Sequence, residues 1–259
     1  MTVSWRTVSL ISATLIGLAT TSCGNAGRHP SGPPIREPVA YSYANVWSAE
    51  PNIDLSSRGA ELIRATIESE QMIPFVGVES AYPGFMQAAQ NSNEAKRGIL
   101  ENSNDHFQQP VGVTHEHILN YSADNSIVTA TVCSIETSAS RPVKPLFVNN
   151  SMSEYTVELR NTRADPGFPG LPDTGGNDQH LDPRYRAPNW NVFGTWEIGK
   201  LSTVASGSDI MKCLAWWPEY SPKLTYDAET GVYFPPGFTD FGEPVKAQYP
   251  KWIAPANGG

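Results

Sequence analysis

Two histidines of this 259-residue chain, His115 and His117, have the residue type and spacing that most directly suggest chemistry. They stand two residues apart, so in a strand both imidazoles lie on one face, about 7 Å apart. Such a pair serves as a general base in a pocket or, with a third ligand such as His106, as a Zn or Cu site. The pair lacks the four-residue helical spacing of an HExxH site, and a structural role is the simpler interpretation. We therefore expect no bound metal and no cofactor.

Other sequence motifs that carry known chemistry are missing. The sequence has no Gly-x-Ser-x-Gly elbow, no Gly-rich phosphate loop and no dinucleotide fingerprint. Acid/base catalysis by a pair such as His117 with Glu158 stays open, because a sequence gives no distances. The net charge of −8 argues against nucleic acid as a partner, because phosphate binding needs a basic surface.

The N-terminal residues have the layout of a secretory signal peptide. Arg6 precedes an apolar run over 8–19, which is too short to span a bilayer as a helix, and small residues follow directly before Cys23. A cysteine at this place resembles a bacterial lipoprotein signal, in which the cysteine is lipidated and becomes the first residue. That resemblance implies a lipid anchor at Cys23. Secretion with Cys23 free or removed is the alternative.

The two remaining cysteines, Cys133 and Cys213, are expected to form one disulfide, because an exported chain meets an oxidising compartment. Closing the loop between them would lower the entropy of the unfolded chain by roughly 4 kcal/mol in free energy. A metal site is the weaker alternative, because the sequence has no CxxC spacing. A catalytic thiol would need a histidine partner in space.

The elements that must position these residues begin with a helix predicted over 56–72. Apolar residues such as Ile63 and Ile67 recur at helical spacing, and Pro74 is expected to end the helix. A second, shorter helix is predicted over 83–89, because proline suits the first helical turn. Three acidic residues of the first helix are expected to face water: Glu61, Glu68 and Glu70.

From residue 115 the apolar period changes to two, which indicates strands. A polar turn at 122–126 joins the first strand to a second over 127–135, and further strands are predicted over 155–159, 190–198 and 211–217. One face of the first strand is expected to carry four side chains: His115, His117, Leu119 and Tyr121. We therefore predict an α+β fold with an antiparallel sheet packed on N-terminal helices.

Segments rich in proline and glycine divide the chain. A long Pro-rich insert at 164–188 is expected to fold over one end of the sheet near Trp190, with Phe168 and Leu171 as its only anchors; a solvated loop is the alternative. The predicted organisation has four parts: a signal peptide over 1–22, a tether over 23–52, an α+β core domain over 53–217, and an extended Pro/aromatic-rich C-terminal segment over 218–259 packed on the core.

Outside the predicted helix, the largest group of apolar side chains consists of four tryptophans: Trp190, Trp196, Trp216 and Trp217. On an α+β scaffold they could line a cavity for a lipid-like or aromatic ligand, and filling the core is the alternative. The candidate pocket consists of five residues: His115, His117, Tyr121, Trp190 and Trp196.

The order of helices and then strands, with the late segment Asn191–Ile198 (NVFGTWEI), resembles the nuclear-transport-factor-2-like and SnoaL-like α+β superfamily over about 55–217. This resemblance implies a curved, cone-like sheet that wraps around the helices and leaves a pocket.

Five segments spread over the mature chain resemble a family of exported, lipoprotein-type proteins of mycobacteria and related actinobacteria. They are YSYANVWS at 41–48, GAELIRAT at 59–66, YPGF at 82–85, PNWNVFGTW at 188–196 and YPKWI at 249–253. The resemblance implies a place in the cell envelope, and no catalytic residues carry over from it.

Together these features predict an exported, lipid-anchored cell-envelope protein of a non-catalytic type that binds a small apolar ligand or an envelope protein partner. The alternative is an enzyme on the same cone fold that uses a pocket histidine, His115 or His117, as a general base. A purely structural or surface-coating role also stays open.

Overall fold

A computed structural model of the chain describes residues 43–93, 96, 110–140, 147–149, 152–163, 165–175, 185–205, 212–216, 225–227, 232–234 and 247–256. All of them belong to the second of the two units into which the chain divides, 38–259. The predicted signal peptide, Cys23 and His106 lie outside the described residues. No helix within the described ranges combines the length and the apolar character needed to cross a membrane.

A mixed sheet carries the fold. In the described ranges its strands are β1 (Tyr43–Ala49), β2 (Pro110–Ala123), β3 (Ile127–Ser140), β4 (Phe147–Asn149), β5 (Met152–Asn161) and β6 (Trp196–Ala205). The order across the sheet is β1-β2-β3-β5-β6, with β4 paired to the last residues of β3. The pairing of β1 with β2 is parallel and the others are antiparallel, so the class is α+β as expected but the sheet is not wholly antiparallel. A separate hairpin joins β7 (Thr225–Asp227) to β8 (Val232–Phe234).

The long helix α1 (Arg58–Val76) forms close to where the apolar period predicts it. The hydroxyl of Ser57 accepts a backbone N–H of the first turn, and Gly77, with φ of 95°, follows the last turn. Pro74 lies inside the helix instead of ending it, because a proline there removes only one hydrogen bond of the last turn. A short helix α2 (Phe85–Ala88) follows.

Three predicted elements differ from the structure. Strand β1 falls in the range assigned to the tether, because four of its residues, Tyr43, Ala44, Asn45 and Trp47, are buried against the core. The predicted strand at 190–198 begins only at Trp196, because the side chain of Asn191 accepts the N–H groups of Phe193 and Gly194 and so closes a turn. The predicted strand at 211–217 contains a 3-10 turn, Cys213–Ala215.

The sheet buries side chains on both of its sides. On β2 the side that we call the helix face carries Glu116 and Ile118, and it contributes to a large cluster with α1, Phe85 and Trp252. The side that we call the outer face carries His117 and Leu119. Its cluster consists of Cys133, Ile135, Met152 and Cys213, with Leu119 and Trp216 packed against it.

The C-terminal residues 247–256 pack on this core. They add to the free edge of β1, where the N–H of Trp47 donates to the carbonyl of Tyr249 at 2.8 Å and the N–H of Tyr249 donates to that of Asn45 at 3.0 Å. Beyond this edge the side chain of Trp252 is buried in the cluster on the helix face.

Candidate functional site

The five residues of the predicted pocket do not converge on one site. His115 and His117 are buried on the outer face, because they pair in register with Ile135 and Cys133. The other three belong to the opposite side. Trp196 is buried in the cluster on the helix face, and Tyr121 and Trp190 pack against that cluster.

A bulge in β2 explains why Tyr121 leaves the face of the histidines. The pairing of β2 with β3 shifts between Leu119 and Ser122, and Asn120 between them has a left-handed φ of 46°. The extra residue reverses the alternation, so the Tyr121 hydroxyl lies 3.2 Å from the Ser57 hydroxyl at the start of α1. A strict period of two therefore assigns Tyr121 to the wrong face.

On the outer face His117 contacts two residues that the sequence analysis did not single out. Its Nδ1 lies 2.8 Å from the hydroxyl of Ser48, its register partner on β1, and its Nε2 lies 3.6 Å from a carboxylate oxygen of Glu50. Ser48 is exposed and Glu50 is half exposed, whereas the imidazole is buried. The signal for this cluster was the pair Tyr43 and Trp47, which stand four residues apart and so lie on one face if 43–49 is a strand.

The orientation of the His117 ring is fixed by packing. The indole of Trp216 stacks on it, with ring centroids 5.0 Å apart and an interplanar angle of 12°. Trp216 follows the turn that contains Cys213, and Cys213 lies at disulfide distance from Cys133, with S–S 1.99 Å and Cα–Cα 5.5 Å. This is the pairing that the sequence predicts. Because Cys133 is the register partner of His117, the disulfide holds the indole next to the imidazole.

On the helix face the carboxylate of Glu68 is fully buried and surrounded by donors. The indole N–H groups of Trp47 and Trp252 donate to it at 2.8 and 2.9 Å, and the hydroxyl of Tyr82 donates at 2.5 Å. The side-chain amide of Gln248 adds bonds of 3.3 Å to both oxygens. These donors come from β1, the loop after α1 and the C-terminal residues, so this one carboxylate ties distant segments together.

Glu68 also faces a buried cation. Arg64, one turn earlier on α1, places its Nε 4.0 Å from the carboxylate, and its guanidinium lies 4.3 Å from the ring centroid of Trp252. Burial raises the pKa of Glu68 above its usual value, while Arg64 and the hydrogen bonds from Tyr82, Trp252 and Trp47 act against that shift. The expectation that Glu68 faces water is wrong, because loops and the C-terminal residues cover the side of α1 that the sheet leaves open.

Glu70, near the middle of α1, is the second acidic side chain that its surroundings perturb. It is only partly exposed, and burial raises its pKa to about 7, although a hydrogen bond with Tyr155 on β5 acts in the opposite direction. Glu61 is buried as well, so none of the three glutamates lies on a fully solvated face. Helical periodicity predicts that they face water, because it identifies only the side of a helix that carries the apolar residues.

The described part of the Pro-rich insert, 165–175, is held by its backbone and not by its apolar side chains. The carbonyl of Pro166 accepts from Arg58 at 2.9 Å and from the Trp196 indole at 2.8 Å. The N–H of Gly170 donates to Glu61 at 2.7 Å, and that of Leu171 to the carbonyl of Ile253 at 2.9 Å. Two predicted anchors are exposed instead: Phe168 by 74% and Leu171 by 46%. The backbone N–H and C=O groups of 165–175 can form these bonds because α1 and residues 250–253 lie beside the segment.

Within the described ranges no group of three or more His, Cys, Asp or Glu residues is arranged to hold a metal ion. His115 and His117 share a face, but the third ligand considered for a metal site, His106, lies outside those ranges. Among the described residues, Ser48, His117 and Glu50 place a hydroxyl, an imidazole and a carboxylate close to one another. No family model, no curated protein and no solved structure matches this chain.

Proposed function

We propose that this chain is an exported protein of the cell envelope, attached to the membrane through a lipidated Cys23, and that its folded domain binds a protein partner. The partner contacts the described part of the insert, 165–175, through Phe168 and Leu171. A protein is favoured over a small apolar ligand because charged side chains, including Glu61 and Arg64, line the groove between 170–173 and 250–253.

The observation that carries this proposal is a pair of exposed apolar side chains on a fixed backbone. Phe168 and Leu171 are exposed, yet the carbonyl of Pro166 and the N–H groups of Gly170 and Leu171 are all hydrogen-bonded. Asp173 adds a bond from the backbone N–H of Lys251 at 3.1 Å. A partner that covers these side chains buries apolar surface without having to order the segment, and preorganisation of this kind raises affinity.

Charge and covalent structure support the remaining parts of the proposal. The net charge of −8 disfavours direct contact of the domain with an anionic bilayer. The Cys133–Cys213 pair is compatible with export, because disulfides persist in oxidising compartments. The cone-like curvature implied by the resemblance belongs to the same proposal, and the packing of α1 against the sheet supports it.

Site-specific photo-crosslinking in an actinobacterial host tests partner binding. A photo-reactive phenylalanine analogue at position 171 is expected to give one discrete protein adduct, and Phe168→Ser in the same chain should abolish it. The matched control is the analogue at Met86, which is similarly exposed on α2. Adducts of equal yield from positions 171 and 86, or none from 171, would contradict the partner surface.

Fractionation of the same cells tests the anchor separately. Cys23→Ser is expected to move the protein from the membrane fraction to the medium, because a lipid chain supplies the membrane affinity. A variant that stays fully membrane-bound would contradict lipidation of Cys23 without bearing on the partner surface.

A further inference from the structure

We propose that Ser48 is a nucleophile activated by His117, and that it gives this chain a hydrolytic activity on small uncharged carboxylic esters. The proposal rests on three groups that lie close together where β1 pairs with β2: the hydroxyl of Ser48, the imidazole of His117 and the carboxylate of Glu50. This site lies on the outer face, apart from the insert. The activity therefore goes beyond partner binding and does not depend on it.

The distances suit a nucleophile and its base. Ser48 Oγ lies 2.8 Å from His117 Nδ1, within the range in which a general base accepts a hydroxyl proton. Glu50 lies 3.6 Å from Nε2, and a carboxylate there favours the tautomer with the proton on Nε2. We assign that tautomer, because it leaves the Nδ1 lone pair to accept the Ser48 proton. A backbone carbonyl, that of Glu116, lies 3.2 Å from the hydroxyl as a second acceptor.

Neighbouring residues hold this geometry before any substrate binds. The imidazole cannot tilt freely, because Trp216 stacks on it and the Cys133–Cys213 disulfide fixes the turn that carries Trp216. Parallel pairing of β1 with β2 sets Ser48 opposite His117. Orientation of reacting groups by a rigid scaffold is a large part of what a catalytic site supplies.

The reaction balances with water as the co-substrate. Ser48 Oγ attacks the ester carbonyl carbon while His117 Nδ1 takes the hydroxyl proton, and that proton then passes to the departing alkoxide, which leaves as an alcohol. Water attacks the acyl-serine, His117 takes a proton from the water and returns it to Ser48, and the acid is released. Glu50 is a positioning residue, because it carries no reacting atom.

The surroundings of Ser48 indicate the substrate class. Ser48 is exposed at a strand edge, so a substrate approaches from solvent. Trp216 is partly exposed beside the imidazole, and the apolar surface of its indole next to the site suits a small apolar or aryl group. The carboxylate of Glu50 and the net charge of −8 disfavour anionic substrates.

The test uses the full chain, purified from membranes in detergent with its disulfide intact. It is incubated with a neutral fluorophosphonate probe, and hydrolysis of 4-nitrophenyl acetate is followed in parallel. We expect mass spectrometry to find the phosphonyl adduct on the peptide that contains Ser48. Ser48→Ala should abolish labelling by the probe and hydrolysis of the ester. His117→Gln should lower the rates of labelling and of hydrolysis by about 100-fold or more. The matched control, Ser122→Ala, alters an exposed serine of β2 and should change neither.

Glu50→Gln keeps the test decisive if His117→Gln fails to fold, because Glu50 is half exposed and its replacement leaves the core intact. It is expected to lower the labelling rate severalfold and to move the pH profile of labelling, which a merely structural role would not do. An adduct on other serines in place of Ser48, or labelling of Ser48 that neither His117→Gln nor Glu50→Gln slows, would overturn the proposal.

Discussion

On the helix face of the sheet, the carboxylate of Glu68 lies inside a large buried cluster and accepts hydrogen bonds from three different segments. On the outer face, four of the described residues form the buried cluster, and a disulfide joins two of them. Buried apolar area and the hydrogen-bonded carboxylate of Glu68 stabilise the helix face, and a covalent link stabilises the outer face. Ser48 and His117 lie on the outer face, where the buried cluster is small and Ser48 is exposed to solvent.

The buried polar groups of the two faces differ in their access to solvent. Glu68 is enclosed by donors that leave it no access to solvent, so its role is to hold segments together. His117 is buried on one side by Trp216 but contacts the exposed Ser48 on the other. A polar group at the boundary between core and water can act on a substrate, whereas one at the centre of the core cannot.

The largest expected loss of stability from a single substitution comes from a change on the helix face. Glu68→Ala leaves the N–H and O–H groups of Trp47, Tyr82 and Trp252 buried without their acceptor, and should lower the free energy of unfolding by about 4 kcal/mol. Urea unfolding measures this. Glu68→Gln keeps one carbonyl acceptor and should lose about half as much. Equal stability of Glu68→Ala and the parent chain would show that the cluster does not depend on the carboxylate.

Removing the disulfide tests the outer face. The double variant Cys133→Ala, Cys213→Ala should lose about 4 kcal/mol of unfolding free energy, because the unfolded chain regains the entropy of an 80-residue loop. Both this variant and its parent should carry Cys23→Ser, so that no other thiol can pair. Loss of the Trp216–His117 contact should accompany the change, read as altered tryptophan fluorescence. An unchanged unfolding midpoint would mean that packing alone holds this face.

Glu70 gives the helix face a pH dependence. Its pKa is about 7 in the folded chain against an ordinary value of 4.5, so the folded chain binds this proton more tightly than the unfolded one. The contribution of Glu70 to the unfolding free energy should therefore be fully present below about pH 4.5 and lost as the pH rises through 7. We expect this loss to be about 2 kcal/mol, because partial exposure of Glu70 reduces it. Urea titrations at several pH values measure the slope.

Two variants check that this slope belongs to Glu70. Glu70→Gln should remove the part of the decline that Glu70 causes. Tyr155→Phe deletes the hydrogen bond that lowers the pKa of Glu70, so the decline should move to higher pH. A decline that persists unchanged in Glu70→Gln would assign it to another group.

The smallest expected effect concerns the bulge that sends Tyr121 to the helix face. Asn120 has a φ of 46°, where most side chains are strained, so Asn120→Ala should lower the free energy of unfolding by about 1 kcal/mol. Asn120→Gly fits this backbone and should be nearly neutral. Thermal or urea unfolding of the pair measures the difference. If the two variants are equally stable, the backbone conformation at residue 120 does not set the bulge.

Local patterns predicted a good part of this fold. The helix over 56–72, the hairpin around 122–126 and the α+β class all appear in the structure with small shifts in their bounds, because each depends on neighbouring residues. Strand β1 was missed because its range adjoins a stretch rich in Pro and Gly. Ser48 and Glu50 were missed with it, although Tyr43 and Trp47 have the four-residue spacing that puts two side chains on one face of a strand.

The sequence by itself determined the features that a few neighbouring residues or residue types encode: the helical period of α1, the alternation of β2 and β3, and the pairing of the two cysteines that remain after Cys23. Only the tertiary structure decided that Glu68 is buried, because one of its donors, Trp252, lies 184 residues away along the chain. It likewise set Ser48 against His117, 69 residues apart. Burial and contact depend on which distant segments pack together, and no local periodicity specifies that.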